Sequence, residues 1–315
     1  MSARTYIKNI TEKIEKMFET ELRHFQSPMD STYKPEIDET ELLSENEIPK
    51  YQMLVGCANW VITLGRYDVN YATSTLVRYN VAPRAGHLKA MLRVFGYLKH
   101  YKKWKLAVDP TPVHVNEDDF TERKWEELYP GIKEELPHNM PEPKGSGVTL
   151  TSYFDADHAS DVVSRRSVTG VLMFANSMPV RWYCKRQNTV ETSTYGSEIV
   201  ASRAAIDIAV EMRCKLRMLG VPVLGPVNMY GDNQSVIANT AVPTSVLKKK
   251  HNACAYHRTR EAMASKVVRI AYVQSARNYA DALTKALGPM VYERIVKPIF
   301  NWKSGADTND AQGEC

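Results

Sequence analysis

The five cysteines of this 315-residue chain are scattered, and no two of them form a C-x-x-C pair. Their spacing argues against a disulfide framework and predicts a protein of a reducing, intracellular compartment. Long apolar runs are also lacking: the most apolar stretch, residues 51–65, is too short to span a bilayer and contains Gln52 and Asn59. Because the residues after Met1 are charged, we expect no signal peptide and no association with a membrane.

The net charge of +5 is modest, but the charges are distributed unevenly along the chain. Residues 51–110 contain 9 Lys/Arg against 2 Asp/Glu, and residues 151–300 contain 20 against 11. Between them, residues 111–150 contain 4 basic and 9 acidic residues. Two basic segments joined by an acidic connector are typical of a protein that binds a polyanion through two surfaces, although ordinary solvated charge produces the same pattern.

Apolar periodicity divides the chain into a helical part and a part in which strands and helices alternate. In the first part we predict amphipathic helices at 10–25, 51–65 and 84–104. The predicted domain organisation is a helical segment at 1–110, an acidic, proline-rich linker at 111–147, an α/β domain at 148–300 and a disordered tail at 301–315.

The α/β domain is predicted from five short, β-rich segments at 148–155, 167–174, 180–186, 227–231 and 267–273. Helical spacing predicts four helices, at 197–220, 232–241, 248–264 and 278–287. The order β-β-β-α-β-α-β-α implies a mixed sheet with helices packed on both faces.

Four carboxylates fall at the ends of these predicted elements: Asp155, Glu198, Asp232 and Asp281. If the first and fourth strands are neighbours, Asp155 and Asp232 lie side by side at one edge of the sheet. Packed carboxylates raise one another's pKa unless a cation neutralises them. Oxygen ligands without accompanying His or Cys favour Mg²⁺ or Mn²⁺ over zinc.

Short sequence motifs surround these carboxylates and occur in a specific order. They are YFDADHASD…RRSVTG, TSTYGSEIVA, YGDNQSV, KHNACAYHRTRE and NYADALTKAL. In that order they resemble the ribonuclease H domain of copia-type LTR retrotransposon polyproteins. Residues 51–99 are similar to the reverse-transcriptase thumb and connection region of the same family, so the resemblance extends over nearly the whole chain.

The resemblance implies a ribonuclease H-like mixed five-stranded sheet preceded by a mainly helical thumb and connection segment. It implies that Asp155, Glu198, Asp232 and Asp281 hold two divalent ions and cut the RNA strand of RNA–DNA hybrids during reverse transcription. One ion activates a water for in-line attack and the other stabilises the leaving 3′ oxygen. The implied partners are the hybrid and the rest of the polyprotein, and the implied location is the cytoplasm, inside virus-like particles, or the nucleus.

Three departures from the family pattern bear on activity. His158 stands where the family has an aromatic residue, and Gly196 replaces an earlier Glu in the turn that carries Glu198. A glycine there loosens the first helical turn by up to about 1 kcal/mol relative to alanine. The paired aspartates of the family's polymerase have no counterpart before residue 150, so the polymerase active site is missing from this chain, which reads as a C-terminal fragment.

Basic clusters supply most of the sequence-independent affinity for nucleic acid. The predicted phosphate contacts are Arg165, Arg166, Lys185, Arg186, Lys248, Lys249 and Lys250. Asn233 and Ser235 follow Asp232 and either hydrogen-bond a 2′-OH, the group that distinguishes RNA from DNA, or cap the following helix.

Two other functions are compatible with parts of this pattern. A catalytically inactive nucleic-acid-binding remnant of a decayed element would keep the basic segments and lose only turnover. The other is a different nuclease of the same fold, an integrase or a proofreading exonuclease; an integrase would order its acids Asp, Asp, Glu, whereas here the glutamate comes second.

Overall fold

The computed structural model describes residues 2–113, 115–247 and 249–300. The helices are α1 (Arg4–Phe18), α2 (Ile48–Thr63), α3 (Asn70–Leu76), α4 (Ala85–His100), α5 (Thr194–Met218), α6 (Gln234–Ala241), α7 (Ala253–Ala264) and α8 (Pro289–Phe300). The strands are β1 (Leu150–Asp157), β2 (Val168–Ala175), β3 (Met178–Arg186), β4 (Val227–Gly231) and β5 (Val268–Tyr272). None of the helices in these ranges is long and apolar enough to cross a bilayer.

The strands form one mixed sheet in the order β3-β2-β1-β4-β5. β1, β2 and β3 pair antiparallel, whereas β4 pairs parallel to β1 and β5 parallel to β4. Parallel neighbours need crossover connections, and here α5 precedes β4 while α6 and α7 precede β5. The predicted ribonuclease H-like fold class, with a helical segment before the sheet, is confirmed.

Both faces of the sheet are covered because successive side chains of a strand point to opposite faces. From β2, Val171 and Met173 join the core that contains Ala205 and other residues of α5. The alternate residues, Leu172 and Phe174, join a second core built from α1 to α4 and α8. The prediction of helices on both faces is therefore confirmed, and the N-terminal helices cover the second face.

The second core ties the two ends of the chain together. Tyr292 of α8 donates a hydrogen bond to the backbone carbonyl of Asp68. Phe300, also of α8, stacks on Tyr67 with ring centroids 5.1 Å apart. The division into domains at 1–110 and 148–300 stays a prediction, but the two segments share one hydrophobic core. The predicted tail, 301–315, lies outside the described residues.

The acidic connector 111–147 packs along the sheet domain through complementary charges. The Glu134 carboxylate accepts hydrogen bonds from Arg213 at 2.7 Å and from Arg217 at 2.5 Å. Burial alone would raise the pKa of Glu134, but these two guanidinium groups lower it to about 2. Glu117 pairs in the same way with Arg269 of β5. The excess of acid in this segment thus neutralises basic side chains of α5 and β5.

Both ends of α5 follow from local sequence. At its start, the Ser193 hydroxyl accepts a hydrogen bond from the Gly196 amide at 3.3 Å, a side-chain cap. At its end, Gly220 has a positive φ of 72° and its amide donates to the Arg217 carbonyl, while Val221 donates to Leu216. This left-handed glycine motif closes the helix at the predicted position.

The predicted helix at 278–287 is wrong. Only Tyr279–Leu283 is helical, as one short 3₁₀ turn, and the last helix of the described chain is α8, which was not predicted. The tighter turn forms because the Asn278 side chain donates to the Phe154 carbonyl at 3.0 Å and accepts from the Ala280 amide at 3.1 Å. These bonds hold the segment against β1, a tertiary contact that helical spacing does not report.

The first helix also differs from its predicted position at 10–25. It begins at Arg4 and ends at Phe18, where Glu19 adopts a left-handed φ of 48°. Beyond this break the Leu22 amide donates to the Glu15 side chain at 2.8 Å, so the chain folds back on the helix. Leu22 is buried where the chain folds back, so its apolar side chain continued the helical spacing in the sequence beyond the end of the helix.

Candidate active site

The four candidate carboxylates come from four different elements. Asp155 lies on β1 and Asp232 directly follows β4; since Tyr153 pairs with Tyr230 in the parallel register, the two aspartates lie at the same edge. Glu198 lies in the first turns of α5. The prediction that β1 and β4 are neighbours is therefore confirmed, and the sheet edge gathers residues that lie far apart in sequence.

Three of the carboxylates form a tight cluster. Oxygen atoms of Asp155, Glu198 and Asp232 all lie within 4.8 Å of one another. Asp281 joins them through a lysine, since Lys285 Nζ is 2.8 Å from Asp281 Oδ1 and 3.7 Å from Asp155 Oδ2. All four predicted site carboxylates thus lie in one place.

Burial and mutual repulsion make this cluster difficult to ionise. Burial raises the pKa of Glu198 well above its usual value, and the nearby Asp155 and Asp232 raise it further. Burial, with Asp155 beside it, also raises the pKa of Asp232. The same two causes raise the pKa of Asp281 to about 7 although Lys285 opposes them. Without further positive charge, the cluster holds protons near neutral pH.

The donor set fits a hard divalent cation. Glu198 is 6% exposed, and its Oε2 is buried without a hydrogen-bond partner among the described residues. An unpaired buried carboxylate oxygen is costly, so this atom is directed at a partner of positive charge. Carboxylate oxygens alone suit Mg²⁺ or Mn²⁺.

Two glycines allow the elements of the site to approach closely. A Cβ on Gly170, which pairs with Asp155 across the sheet, would lie 2.6 Å from Thr284 Cγ2 and 2.9 Å from the Ala280 carbonyl oxygen. A Cβ on Gly231 would lie 2.4 Å from the Phe154 ring. Gly170 therefore admits the 3₁₀ turn that brings Asp281 to the cluster.

Sequence reasoning missed three side chains beside the cluster. The Thr284 hydroxyl donates a hydrogen bond to Asp155 Oδ2, and Lys285 pairs with Asp155 and Asp281. Burial raises the pKa of Asp157 to about 6, partly offset by hydrogen bonds from Ser160 and from the Val168 amide. Thr284 and Lys285 belong to the NYADALTKAL motif. Because this motif was wrongly predicted as a helix, the sequence did not indicate that their side chains face the cluster.

Gly196, the departure in the turn that carries Glu198, has a structural reason. A Cβ at this position would lie 2.5 Å from Glu191 Oε2. Glu191 is buried, accepts a hydrogen bond from Thr189 at 3.0 Å and lies 3.3 Å from His251 Nε2. A carboxylate from the preceding loop therefore fills the space beside the first turn of α5, where a side chain at 196 would stand.

The described basic residues that were predicted to contact nucleic acid differ in their surroundings. Arg165, Lys185 and Lys250 are exposed, and Arg166 is half-buried. Lys249 Nζ donates to the Ser193 hydroxyl at the start of α5. Lys248 lies outside the described residues. Roles in binding stay predictions for all of these residues.

The residues after Asp232 were predicted either to hydrogen-bond a 2′-OH or to cap the following helix, and capping is observed for Asn233. Its Oδ1 accepts a hydrogen bond from the Val236 amide at 3.1 Å, at the start of α6. Ser235 is exposed in the first turn of the same helix. A contact of either residue with a 2′-OH stays a prediction.

We expect the metal-free protein to lose stability as the pH rises. The folded pKa of Asp281, about 7, lies above its ordinary 3.8, so the protonated carboxyl favours folding. This contribution is complete below about pH 4 and is lost as the pH rises through about 7, a change of roughly 2–4 kcal/mol. Urea unfolding in a chelator at about pH 5 and about pH 8 measures it.

Mg²⁺ should remove most of this pH dependence, because the cation takes over the role of the protons. Asp281→Asn is the matched variant, since its side chain stays neutral at every pH and the slope should shrink. A metal-free slope of zero or of the opposite sign would contradict the expected repulsion within the cluster.

Fold and site together define a ribonuclease H-like domain with a carboxylate cluster at the edge of its sheet. No family model matches the chain. It is 26% identical over 253 residues to the retrovirus-related Pol polyprotein from transposon RE1 of Arabidopsis thaliana, which covers 79% of this chain and 15% of that protein. The similar polyprotein from transposon TNT 1-94 of Nicotiana tabacum is 30% identical over 143 residues, covering 45% of this chain and 11% of that protein.

The chain is thus similar to the Pol polyproteins of plant retrotransposons, which confirms the resemblance inferred from its motifs. It spans about 15% of the length of the Arabidopsis relative. Among solved structures, it is similar to the N-terminal ribonuclease H domain of rv2228c from Mycobacterium tuberculosis, with a TM-score of 0.34, 16% identity and coverage of 44% of this chain and 91% of that chain. Ribonuclease H1 from Halobacterium salinarum has a TM-score of 0.35, 19% identity and coverage of 43% and 94%.

Proposed function

We propose that this chain is a metal-dependent ribonuclease H that hydrolyses the RNA strand of RNA–DNA hybrids. One observation carries the proposal: a cluster of carboxylates at the sheet edge includes a buried oxygen, Glu198 Oε2, that has no hydrogen-bond partner in the part of the chain that the structure describes. Phosphodiester hydrolysis builds negative charge on the phosphate, and a site organised to bind cations stabilises that charge. The cluster is therefore better suited to phosphoryl chemistry than to acyl transfer or redox chemistry.

Asp155, Glu198, Asp232 and Asp281 would hold Mg²⁺ or Mn²⁺, two ions by the family resemblance. When bound, such ions supply positive charge to the phosphate and an activated water. The protein's own part is orientation: the Thr284 hydroxyl fixes Asp155 Oδ2, and burial keeps the carboxylates in one arrangement. Lys285 brings a further positive charge to the side of the cluster formed by Asp155 and Asp281.

The hybrid would lie across the edge of the sheet that carries the cluster. The proposed phosphate contacts are Arg165, Arg166, Lys185, Arg186, Lys248, Lys249 and Lys250. The basic segment 51–110 would extend this surface, since it packs against the same sheet. Ser235, exposed next to Asp232, would reach a 2′-OH, while Asn233 uses its Oδ1 at the helix cap.

The relatives support a wider context for this activity. We propose that the chain acts with the rest of a retrotransposon polyprotein during reverse transcription, in the cytoplasm within virus-like particles or in the nucleus. DNA synthesis would then need other carboxylates than the adjacent Asp118 and Asp119, which lie in a 3₁₀ turn of the acidic connector and not on a hairpin.

One observation favours a second candidate, a nucleic-acid-binding remnant without turnover. Gly196 replaces the family's glutamate in the turn that carries Glu198. A change that misdirects Glu198 would leave the basic surfaces intact and abolish catalysis. Binding alone therefore does not distinguish the two candidates, whereas metal-dependent turnover does.

The test is a cleavage assay with labelled RNA–DNA hybrid, single-stranded RNA and double-stranded DNA, each with Mg²⁺ and with chelator. We expect cleavage of the hybrid's RNA strand in Mg²⁺ and none with chelator. Binding of the hybrid without cleavage in Mg²⁺ or Mn²⁺ would support the remnant. Equal cleavage of single-stranded RNA would contradict the proposed specificity for hybrid.

A further inference from the structure

A loop beside the candidate site is held by the N-terminal helical segment. This loop, residues 158–167, connects β1 to β2 and carries Arg165 and Arg166. Arg78, which follows α3, places its Nη2 at 2.6 Å from Asp161 Oδ2 of the loop. Glu36 adds a second contact, since its Oε1 accepts the Val162 amide at 3.1 Å.

Asp161 is the centre around which the loop folds. Its Oδ1 accepts the amides of Ser164 at 2.7 Å and Val163 at 3.2 Å, and its backbone carbonyl accepts the Arg165 amide at 2.8 Å. Arg165 has a left-handed φ of 55°, a conformation that a side chain rarely adopts without support. The direction of Arg165 therefore depends on the position of the Asp161 carboxylate.

Two guanidinium groups form ion pairs with this carboxylate, and the two pairs differ in distance and in exposure to solvent. The Asp161 side chain is 4% exposed, and Arg78 approaches it at 2.6 Å with 20% exposure. Arg186 of β3 lies farther away, at 3.3 Å, and is 34% exposed. Without Arg78, Asp161 would keep only the longer and more solvent-exposed of these two ion pairs, the one with Arg186. The negative charge of a nearly buried carboxylate would then be only partly neutralised.

We propose that Arg78 is a positioning residue through which the N-terminal segment holds the 158–167 loop, and with it Arg165 and Arg166, in the orientation that binds the hybrid. The inference rests on the proposed function, since the hybrid is the ligand that the loop would contact. It gives the helical segment a role in substrate binding beyond its own positive charge. The 148–300 domain would therefore lose hybrid affinity when this one ion pair is lost.

The experiment compares Arg78→Ala with two controls in the full chain. Arg269→Ala is the matched control, because Arg269 is 28% exposed and its carboxylate partner, Glu117, lies in the acidic connector and not in the loop. Arg78→Lys restores the charge. Hybrid affinity is measured in an Asp155→Asn background, where no strand is cut, and KM and kcat are measured in the active background.

Arg78→Ala should weaken hybrid affinity and raise KM by about fivefold or more, with kcat changed less than twofold. Arg78→Lys should recover part of the affinity, and Arg269→Ala should leave it unchanged. Hydrogen exchange without nucleic acid should show faster exchange at the Val163 and Ser164 amides in Arg78→Ala, with β1 and α5 unaffected.

Three other results would each contradict the inference about Arg78. Unchanged exchange in the loop would show that Arg78 does not hold it. Faster exchange with unchanged affinity would show that the loop does not bind the hybrid. An equal loss in Arg269→Ala would assign the effect to the loss of any one positive charge or ion pair, and not to the loop. If the proposed catalysis is wrong, the wild type would bind hybrid without cutting it, and this result can be told apart from failure of the inference about Arg78.

Discussion

Asp155→Asn should reduce Mg²⁺-dependent cleavage of RNA–DNA hybrid by about a hundredfold or more, because a carboxylate shared by the whole cluster becomes a neutral amide. Asp155 contacts more of the site than any of its partners: it lies with Glu198 and Asp232 and pairs with Lys285. The substitution removes charge but almost no volume. Loss of activity should therefore not come from loss of the fold.

Stability is the second readout of the same variant. In the absence of metal, Asp155→Asn should unfold at the same or a higher urea concentration than the wild type near pH 8, because one member of a mutually repelling cluster is neutral. The stabilisation by Mg²⁺ should shrink, since a ligand that binds only the folded state stabilises it in proportion to its affinity. Asp232→Asn should behave in the same way.

Asp207→Asn is the matched control for these measurements. Asp207 lies on α5, as Glu198 does, but its side chain is 52% exposed and pairs with Arg203 and Arg258 at the surface. It should keep full activity and the full response to Mg²⁺. Cleavage at the wild-type rate in Asp155→Asn would refute the assignment of the site, and an equal loss in Asp207→Asn would make the effect unspecific.

Arg66→Met should lower the free energy of unfolding by about 3–5 kcal/mol, the largest stability effect that we expect from one substitution. Arg66 and Asp68 are each 1% exposed, and Arg66 Nη2 lies 2.6 Å from Asp68 Oδ2. Arg66 also lies over the Phe300 ring of α8, at 5.5 Å from its centroid. Without the guanidinium, the buried Asp68 carboxylate would keep, among the described residues, only the hydrogen bond from the Tyr97 hydroxyl at 2.8 Å.

Two further variants separate the unpaired charge from lost packing. Arg66→Met/Asp68→Leu removes both charges and should recover much of the loss, because replacing a whole buried ion pair by apolar groups is often neutral. Arg203→Met acts on an exposed pair and should change the stability by less than about 1 kcal/mol. Urea unfolding measures all three, and a small effect of Arg66→Met alone would contradict the account.

The buried pair also bears on the organisation of the chain. Arg66 and Asp68 belong to the N-terminal segment, whereas Phe300 and Tyr292, which contact them, belong to α8 at the other end. Single-step unfolding of the wild type would support one cooperative unit across the acidic connector. Two separate transitions would support independent domains, as the sequence-based division at 111–147 predicts.

The elements that form local patterns were predictable from the sequence. Strand composition predicted β1 to β5, and Gly220 marked the end of α5, because these features depend on neighbouring residues. Asp155, Glu198 and Asp232 could be named because each stands near the end of such an element. The family resemblance then grouped Asp155, Glu198, Asp232 and Asp281 in the order in which the chain presents them.

Only the tertiary structure decided the contacts between distant segments. The turn at Tyr279–Leu283 was predicted as a helix because its spacing is helical, yet Asn278 and Gly170 hold it on the sheet in a tighter form. Lys285 became a neighbour of Asp155 only through that turn. Arg78 and Asp161 lie 83 residues apart, and no local pattern joins them. Such pairs depend on how the helices cover the sheet, which is determined by burial over the whole chain rather than by adjacent residues.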